Sequence, residues 1–347
     1  MSSVGQQSLK IMQYNVQDLF IELAYPLSTK DLIGLNETQW QSLGGGDEPL
    51  KPLFKLRAIA EIISKEQPDI VCLCEVGRAI SLQNFTRLFL NDSYEALLIE
   101  SNSERGIDNG FLTRKDSGIR GKLLTHCDWP ISFQYPHEMD PIAYSVNAVL
   151  AQYLDLGKAD DRRLSRDIPA LQVYDKNNQL ILIILLAHLK SKYDPDGLDP
   201  LGLTRRTAEL KALVAIYQQL TRKHSPYVPI IVAGDLNGNA SLDQTDQEFF
   251  PLYQQTDLQD ALRLAGRKPY ERYTHLTFTR ENTLANQLDY IFLPKILHKK
   301  IVPEATYVYR YRFPDDSRDE IMPPFSFKDR ALLPSDHYPV FCTFNLC

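Results

Sequence analysis

The sequence predicts an α/β fold in which β-sheets pack against each other and helices lie outside them. Strand-like runs recur along the whole chain, and many are rich in Val, Ile and Leu, as expected of strands that are buried on both faces. Helical patterns are few and lie between these runs. The predicted strands are Leu9–Tyr14, Asp69–Cys74, Gly110–Arg114, Ser145–Tyr153, Ala170–Tyr174, Leu180–Ala187, Pro229–Ala233, Gln287–Leu293 and Tyr338–Phe344.

Two segments have the periodicity of amphipathic helices. Phe54–Lys65 has apolar residues three or four positions apart, and Pro68 follows its end. Thr204–Leu220 repeats this spacing, with charged residues on the opposite face. The stretches 26–52 and 303–334 are long for simple connections, which favours functional surface loops. No repeat or linker divides the chain, so we predict a single domain over residues 1–347.

Composition argues against several classes of protein. The net charge is −6 and the pI is about 5.7, so no overall positive field draws the chain to nucleic acid, although a local basic rim can do so. The longest apolar run, Leu180–Ala187, is too short to span a bilayer. The first residues, MSSVGQQSLKIMQYN, lack a charged start followed by an apolar segment, so we expect a cytoplasmic protein unless a leader was removed. The sequence implies no protein partner, and we expect a monomer.

Polar residues that can carry chemistry stand at or near the ends of the apolar strands. Taken singly, an Asp or Asn after a strand commonly starts a turn or caps a helix, and a lone His is commonly structural. These explanations do not account for the recurrence of such residues at strand ends, where open α/β sheets bind ligands. The residues are Asn15, Glu75, His188, Asp235, Asn237, Asp289, Asp336 and His337.

A cluster of acids, amides and imidazoles suits a site for a metal ion and a phosphate group. Buried charges must be paired or bind a metal, because an isolated charge is costly to remove from water. A phosphodiester is anionic and repels nucleophiles. Its cleavage needs a cation on the phosphoryl oxygens, a group that positions water, and donors for the developing charge. Asp and Glu oxygens favour Mg²⁺ or Mn²⁺.

Taken in order, the motifs resemble the endonuclease/exonuclease/phosphatase superfamily. They are Q-Y-N-V at Asn15, L-C-E-V at Glu75, A-H-L-K-S-K at His188, V-A-G-D-L-N at Asp235 and Asn237, Q-L-D-Y-I-F at Asp289, and P-S-D-H-Y-P-V at Asp336 and His337. G-D-x-N together with S-D-H is strongly specific, and the resemblance runs from about Leu9 to the C-terminus. It implies a deoxyribonuclease I-like fold, a four-layer αββα sandwich of two mostly antiparallel sheets with outer helices.

The resemblance also implies roles around a metal ion and a water molecule. Glu75 would bind the principal Mg²⁺ or Mn²⁺, with Asn15 close by. Asp336 would either ligate metal or carry protons. Asp235 would orient or deprotonate the attacking water, and Asn237 would fix its position.

Two histidines are implied to act on the phosphate. His337, held by Asp289, would face the scissile phosphate, and His188 would donate to a phosphoryl oxygen. The pairing of Asp289 with His337 makes physical sense, because a carboxylate fixes the tautomer of an imidazole and raises its basicity. The long Asn15–Glu75 spacing and the Asp289–Asp336 insert depart from the compact family pattern and leave the substrate open.

Basic residues near the motifs predict contacts to a substrate. Arg166 resembles the family's phosphate-contacting arginine, with a solvated arginine as the alternative. Lys190 and Arg205 lie in sequences that resemble bacterial deoxyribonuclease-like members, and we predict that they line a groove for a nucleic-acid backbone. Ordinary surface charge is the alternative, and it is favoured for Lys192 and Arg206.

The segment Tyr307–Arg312 alternates three tyrosines with Val308 and two arginines. Such a pattern suits an aromatic and cationic platform for nucleic acid. It also suits a strand with one face packed against the protein, which is the commoner case.

Together these features predict a metal-dependent nuclease that hydrolyses phosphodiester bonds of DNA or RNA. A phosphomonoesterase or a lipid phosphodiesterase on the same scaffold is the alternative, and the 26–52 stretch would then supply a lid over a narrow pocket. A non-catalytic binding module is the distant alternative. Degraded motifs would mark such a module, and none of the core acids or histidines is missing. Endonuclease or exonuclease action and the number of metal ions stay open.

Overall fold

Two six-stranded β-sheets form the centre of the computed structural model, which describes residues 8–154, 156, 158–279, 282–311, 324 and 326–346. The strands in chain order are β1 (Ser8–Leu19), β2 (Ile70–Val76), β3 (Tyr94–Leu98), β4 (Asp108–Arg114), β5 (Arg120–Leu124), β6 (Pro130–Ile131), β7 (Arg162–Arg163), β8 (Ala170–Tyr174), β9 (Leu180–His188), β10 (Ile230–Asp235), β11 (Gln259–Asp260), β12 (His275–Phe278), β13 (Thr283–Asn286), β14 (Asp289–Leu293), β15 (Tyr307–Val308) and β16 (Val340–Asn345). The first sheet has the order β15-β16-β1-β2-β4-β3, and the second has the order β11-β14-β10-β9-β8-β5. β6 pairs with β7, and β12 with β13, as separate two-stranded ribbons.

Each large sheet contains one parallel pair of strands near its centre. β1 runs parallel to β2, and β9 runs parallel to β10. The other neighbouring strands of both sheets are antiparallel. The prediction of two mostly antiparallel sheets is therefore confirmed. Parallel neighbours end at the same edge of a sheet, so each pair presents the side chains at its carboxyl ends together.

Helices cover the outer faces of both sheets. Leu56 and Ile59 pack into the core of the first sheet, and Leu213 and Ile216 pack into the core outside the second. The predicted four-layer arrangement is confirmed. Among the described residues, no helix is long and apolar enough to cross a membrane. The helices are α1 (Glu37–Gln41), α2 (Leu53–Glu66), α3 (Ala79–Phe89), α4 (Pro136–Met139), α5 (Ser145–Ala151), α6 (Leu203–Lys223), α7 (Phe250–Gln254), α8 (Ala261–Leu264) and α9 (Phe327–Ala331).

The continuous apolar sequence of β9 follows from its burial on both faces. Leu182, Ile184 and Leu186 face the core that the second sheet shares with the first. Ile183 and Leu185 face the opposite way and pack in the core that contains α6. Because successive side chains of a strand alternate between faces, a strand with helix on one side and sheet on the other is apolar at every position.

One predicted strand, Ser145–Tyr153, is wrong. The structure forms the helix α5 over Ser145–Ala151 instead. Its apolar residues lie three or four positions apart, which is helical spacing, and they are exposed rather than buried in a sheet. A run of apolar residues is therefore not sufficient to identify a strand.

Both of the predicted long loops contain regular elements. The stretch 26–52 contains α1 and a 3-10 helix at Thr29–Leu32, and it buries Trp40 edge-on against Phe89. The indole N–H of Trp40 donates to the carbonyl oxygen of Lys51 at 2.9 Å. The stretch 303–334 contains β15 and α9, and its residues 312–323 and 325 lie outside the described part of the chain.

We expect Trp40→Ala to lower the free energy of unfolding by about 3–5 kcal/mol, because it removes a fully buried aromatic ring and leaves a cavity. Ile33→Ala is a matched control from the same stretch. Ile33 is 81% exposed, so its truncation should change stability by less than about 0.5 kcal/mol. Urea denaturation monitored by far-UV circular dichroism measures the free energy of unfolding of both variants, because this signal reports backbone structure and does not require Trp40. Equal effects of the two substitutions would contradict the anchoring role of Trp40.

Candidate active site

The carboxyl ends of four central strands bring polar side chains of the two sheets into contact. Asn15 and Glu75 lie near the ends of β1 and β2, while His188 and Asp235 end β9 and β10. The amide nitrogen of Asn15 donates to Glu75 Oε1 at 3.1 Å and to Asp235 Oδ2 at 2.9 Å. A single amide thus joins an acid of the first sheet to an acid of the second.

The backbone is irregular where these side chains leave the first sheet. The register between β1 and β2 shifts after Asn15, and Gln17, Asp18 and Glu75 have φ angles of 51°, 55° and 62°. Left-handed conformations are uncommon for residues other than glycine and concentrate at functional sites. The backbone N–H of Gln17 donates to Asn15 Oδ1 at 3.0 Å and thereby fixes the orientation of the Asn15 amide.

The G-D-L-N motif positions two side chains through a close backbone contact. Gly234 has a φ of +146°, and a Cβ atom at this position would lie 1.8 Å from the carbonyl oxygen of Ala187. Only glycine therefore allows β10 to lie against β9 directly before Asp235. Asn237 has a φ of 52°, and its amide nitrogen donates to the carbonyl oxygen of Leu189 at 2.9 Å.

Asp289 and His337 form a buried ion pair, with 2.6 Å between Asp289 Oδ2 and His337 Nδ1. The backbone N–H of Asp289 donates to the Thr274 hydroxyl, and that of His337 donates to the Ser335 hydroxyl. Burial lowers the pKa of His337, but the carboxylates of Asp289 and Asp235 raise this pKa by more, so it lies well above its usual value. The imidazole is therefore held as a cation with Nε2–H as its remaining donor.

Asp235 is a buried carboxyl group whose pKa lies near neutrality. Its Oδ2 accepts from Asn15, and its Oδ1 accepts from the backbone N–H of Asn237 at 2.9 Å. Burial raises the pKa of Asp235 to about 7; His337 opposes this shift and Asp289 adds to it. A group with this pKa can accept and release a proton at neutral pH.

His188 faces the same acids from the second sheet. Its Nε2 lies 3.8 Å from Glu75 Oε1 and 3.8 Å from Asp235 Oδ2. Its Nδ1 is buried and makes no hydrogen bond within the described residues. Burial, followed by the charges of Arg166 and His337, lowers the pKa of His188 well below its usual value. The ring is therefore neutral, with one N–H donor.

His275 also belongs to this cluster, although the sequence analysis did not single it out. Its ring centroid lies 4.9 Å from that of His337, and its Nε2 lies 3.9 Å from Asp336 Oδ2. Burial and then His337 lower the pKa of His275 to about 4. Burial raises the pKa of Asp336, but His337, His275 and Arg330 lower it by more, so Asp336 is held ionised. His275 begins the short strand β12 rather than following a buried strand, so the strand-end pattern could not identify it.

The donor atoms of the cluster fit a hard divalent cation. Two groups of side chains each have potential ligand atoms within 4.8 Å of one another, namely Asp235, Asp289 and His337, and His275, Asp336 and His337. Because His337 is protonated, the carboxylates and the neutral His275 are the ligands that remain. Burial and then Asp18 raise the pKa of Glu75. Carboxylates that are buried together gain most from a cation that neutralises them, and oxygen donors favour Mg²⁺ or Mn²⁺.

A cleft of about 910 Å³ opens beside His188. Its lining contains the predicted substrate-binding residues Arg166, Lys190 and Arg205, and it also contains Asp194, Asp196 and Asp199. The Nε of Arg166 is buried without a hydrogen-bond partner among the described residues. Because Arg166 is also among the charges that lower the pKa of His188, it is the cation of this cleft that acts most directly on the centre.

Lys190 and Arg205, the other two predicted substrate-binding residues, already make hydrogen bonds within the protein. Lys190 donates from Nζ to the carbonyl oxygen of Tyr193 at 2.6 Å. Arg205 lies with its Nε 3.3 Å from Glu209 Oε1, and its Nη2 donates to the carbonyl oxygen of Arg163 at 3.1 Å. Arg205 is therefore held by its own neighbours more firmly than Lys190.

Two neighbouring basic residues differ in exposure. Lys192 is exposed and lies 3.8 Å from Asp246 Oδ2, in keeping with ordinary surface charge. Arg206 is only 2% exposed and forms an ion pair with Glu248 at 2.8 Å. Neither of the predicted locations for Arg206, a groove or the solvated surface, is right, because the pairing with Glu248 allows its charge to be buried.

The described tyrosines of the Tyr307–Arg312 segment pack against the protein. The ring of Tyr307 stacks on Phe341, and the buried ring of Tyr311 stacks on Tyr338. The hydroxyl of Tyr311 donates to the carbonyl oxygen of His337 at 2.6 Å. The packed-strand interpretation is therefore the right one for these rings, while residue 312 lies outside the described part of the chain.

The spatial cluster agrees with a comparison of the whole sequence with protein families. The model of the Endonuclease/Exonuclease/phosphatase family matches residues 12–337. This chain belongs to that family. Membership supports a hydrolase of phosphate esters, and it agrees with the resemblance that the ordered motifs indicate. A search of curated proteins gives no match.

Solved structures show the same fold at low sequence identity. TDP2 from D. rerio, complexed with a single-strand DNA product, has a TM-score of 0.54 and 19% identity, over 97% of this chain and 99% of that one. The catalytic domain of human Nocturnin with bound sulfate has a TM-score of 0.54 and 16% identity, over 99% and 96%. An endonuclease/exonuclease/phosphatase family protein from Bacteroides thetaiotaomicron has a TM-score of 0.51 and 13% identity, over 99% of both chains. The deoxyribonuclease I-like fold is therefore confirmed.

In protein treated with EDTA, we expect Asp289→Asn to lower the pKa of His337, because the substitution removes the carboxylate that contacts Nδ1. A histidine with a raised pKa stabilises the fold fully below its unfolded pKa of about 6.5, and this contribution is lost as pH rises through the folded pKa. Histidine-labelled ¹⁵N–¹H spectra measure the pKa, with His224 as an internal control. An unchanged pKa of His337 would mean that another group holds its charge.

Proposed function

We propose that this chain is a metal-dependent nuclease that hydrolyses phosphodiester bonds of DNA or RNA by attack of water. One observation carries the proposal. The Asn15 amide holds Glu75 and Asp235 together at the point where His188 and His337 also converge. Oxygen ligands, an acid with a pKa near neutrality and two imidazoles of different charge together meet the requirements of phosphodiester hydrolysis.

Glu75 and Asp336 are the proposed principal ligands of Mg²⁺ or Mn²⁺. When bound, such a cation supplies positive charge that neutralises phosphoryl oxygens. Asn15 turns its amide nitrogen toward Glu75, and its amide oxygen already accepts from Gln17. In this arrangement the Asn15 amide nitrogen positions Glu75. Asn15 can ligate the metal ion only through the remaining lone pair of its amide oxygen.

Asp235 is the proposed group that orients the attacking water and takes its proton. Its pKa of about 7 makes it a stronger base than an exposed aspartate while it is still ionised in part at neutral pH. Asn237 is the proposed second contact to this water. Its amide nitrogen donates one N–H to the carbonyl oxygen of Leu189, which orients the amide and leaves its oxygen and its second N–H for the water.

The two histidines are proposed to stabilise negative charge on the phosphate. His337, which Asp289 keeps protonated, would present Nε2–H to the scissile phosphate. His188, which burial keeps neutral, would donate one N–H to a phosphoryl oxygen. Donors that are fixed before the reaction stabilise developing charge without a reorganisation cost.

Cations on both sides of the centre support a polyanionic substrate. Arg166 and Lys190 line the cleft beside His188, and Arg330 lies on the other side, close to His275 and Asp336. A chain with several phosphates can contact both sides at once, whereas a single phosphate cannot. The similar D. rerio TDP2 was solved with a single-strand DNA product, which agrees with a nucleic-acid substrate.

A lipid phosphodiester is the second candidate, and an exposed apolar stripe favours it. Val146, Val149, Leu150 and Tyr153 are exposed and spaced as one face of a helix that begins at α5. Leu154, which follows the stripe, lines the basic cleft. An apolar helix face beside a cationic cleft suits a bilayer surface, where side chains enter the acyl region and phosphates meet the cations.

Removal of metal with EDTA should abolish phosphodiester hydrolysis, and Mg²⁺ or Mn²⁺ should restore it. Glu75→Gln should weaken metal affinity first, so excess Mn²⁺ should restore part of its activity. Asp235→Asn should lose on the order of 10³-fold or more in kcat at every metal concentration, because it acts on the transition state. Hydrolysis of plasmid DNA and RNA measures these effects, with circular dichroism as the control for folding. Full activity of the EDTA-treated protein would refute the metal dependence.

Binding of oligonucleotides to the inactive Asp235→Asn protein should strengthen with length and weaken with salt. The double variant Arg166→Ala/Lys190→Ala should lower the slope of log affinity against log salt concentration by about one to two. Each phosphate contact that forms releases about one counterion, so a protein with two fewer contacts releases fewer counterions. The exposed residue Lys211 of α6 gives the control Lys211→Ala, which should leave the slope unchanged. Absence of length dependence, together with tight binding to phosphatidylcholine vesicles, would favour the lipid candidate.

A further inference from the structure

A second cleft, of about 460 Å³, opens where the irregular end of β1 meets the start of α2. Its lining contains Gln17 and Asp18 from the first sheet and Lys51 and Lys55 from the segment around the start of α2. This cleft adjoins the basic cleft that contains Arg166, and the two share Glu104 and Arg105 in their linings. None of the motifs in the sequence includes its two lysines.

Lys51 is a buried lysine beside this cleft. It is 3% exposed, and its Nζ donates to the carbonyl oxygen of Gln17 at 2.6 Å. Within the described residues, no carboxylate oxygen lies within 4.0 Å of this ammonium group. Burial and then the charge of Lys55 lower the pKa of Lys51 to about 7. A nearby anion stabilises the charged form of a buried ammonium group that has no ion pair.

Lys55 lies one helical turn after Lys51 and faces the same cleft. Its Nζ lies 3.5 Å from Gln17 Oε1, and burial lowers its pKa. Lys55 forms no ion pair among the described residues. Because Lys55 lowers the pKa of the buried Lys51, the two ammonium groups are costly to keep together unless an anion binds between them.

Among the described residues, the acids that line this cleft form no ion pair with either lysine. Asp18 pairs with Arg105, with 2.8 Å between Asp18 Oδ1 and Arg105 Nη2. Glu48 and Glu104 are exposed at the rim of the cleft, and neither forms an ion pair with Lys51 or Lys55. The positive charge inside the cleft is therefore left for a ligand.

The cleft adjoins the catalytic cluster through Gln17. The carbonyl oxygen of Gln17 accepts from Lys51, and its backbone N–H donates to Asn15 Oδ1. Asp336 and Glu75 are both close enough to raise the pKa of Lys51. A ligand held by Lys51 therefore lies next to the residues that would act on the scissile phosphate.

We propose that Lys51 and Lys55 form a phosphate subsite that holds the phosphodiester next to the one that is cleaved. This inference rests on the proposed nuclease function, since only a chain of phosphates supplies a neighbouring phosphate. Lys51 also supports the irregular backbone at Gln17, but such a structural role explains neither the second lysine nor why neither lysine has an ion-pair partner among the described residues. The long Asn15–Glu75 insert thus supplies a substrate contact.

The test compares two substrates that differ in neighbouring phosphates. Bis(4-nitrophenyl) phosphate has a single phosphodiester, whereas a short oligonucleotide offers several. Lys55→Ala should lower the ratio of kcat/KM for the oligonucleotide to that for bis(4-nitrophenyl) phosphate about tenfold, mainly through KM. Lys51→Met should lower the same ratio. The exposed Lys211→Ala should leave the ratio unchanged.

An unchanged ratio in Lys55→Ala would overturn the subsite, as would an equal loss for both substrates, which would indicate a role at the reaction centre or in folding. Lys55 is only half-buried, so its variant remains informative if Lys51→Met fails to fold. Calorimetric titration with inorganic phosphate gives a readout apart from nuclease activity. If phosphate binding is lost in both lysine variants while the native protein cleaves no nucleic acid, Lys51 and Lys55 bind phosphate, but the nuclease function fails and with it the role of holding a neighbouring phosphodiester.

Discussion

The hydrogen bonds of the Asn15 amide are the constraint on which the rest of the site depends. The two sheets meet face to face through apolar side chains, which are non-directional and do not by themselves align one strand end with another. A single amide that donates to both Glu75 and Asp235 supplies this alignment. The backbone N–H of Gln17 fixes the amide from the other side. The irregular end of β1 is therefore part of the site.

Burial gives similar side chains different protonation states. His337 and His188 lie on either side of Asp235, yet the contact with Asp289 keeps the first charged, while desolvation and nearby cations keep the second neutral. Asp235 itself has a pKa of about 7, whereas Asp336 stays ionised among neighbouring cations. Four similar groups of one cluster are thus held in different protonation states.

The insert before α2 and the segment that contains α5 lie outside the two large sheets and border the two clefts. The insert before α2 brings Lys51 beside the catalytic cluster, and Trp40 anchors that insert by donating to the Lys51 carbonyl. The segment that contains α5 places exposed apolar residues at the rim of the cleft that Arg166 lines. Loops on a rigid scaffold can change in this way without disturbing the sheets, because few of their side chains belong to the core.

The sequence by itself determined the central strands of both sheets, the helices α2 and α6 and the eight polar residues at strand ends, because burial on both faces and helical spacing are local patterns. It did not predict the edge strands β3, β5 and β11 or the helix α3. The strand predicted at Ser145–Tyr153 is the helix α5, because apolar content alone does not separate a strand from a helix whose apolar residues are exposed. The sequence also missed His275 and the charge state of Lys51, and it placed Arg206 on the surface rather than against Glu248. These properties depend on partners far away in the chain. Only the tertiary structure decides them, because charge and hydrogen bonding are set by what surrounds a side chain in space.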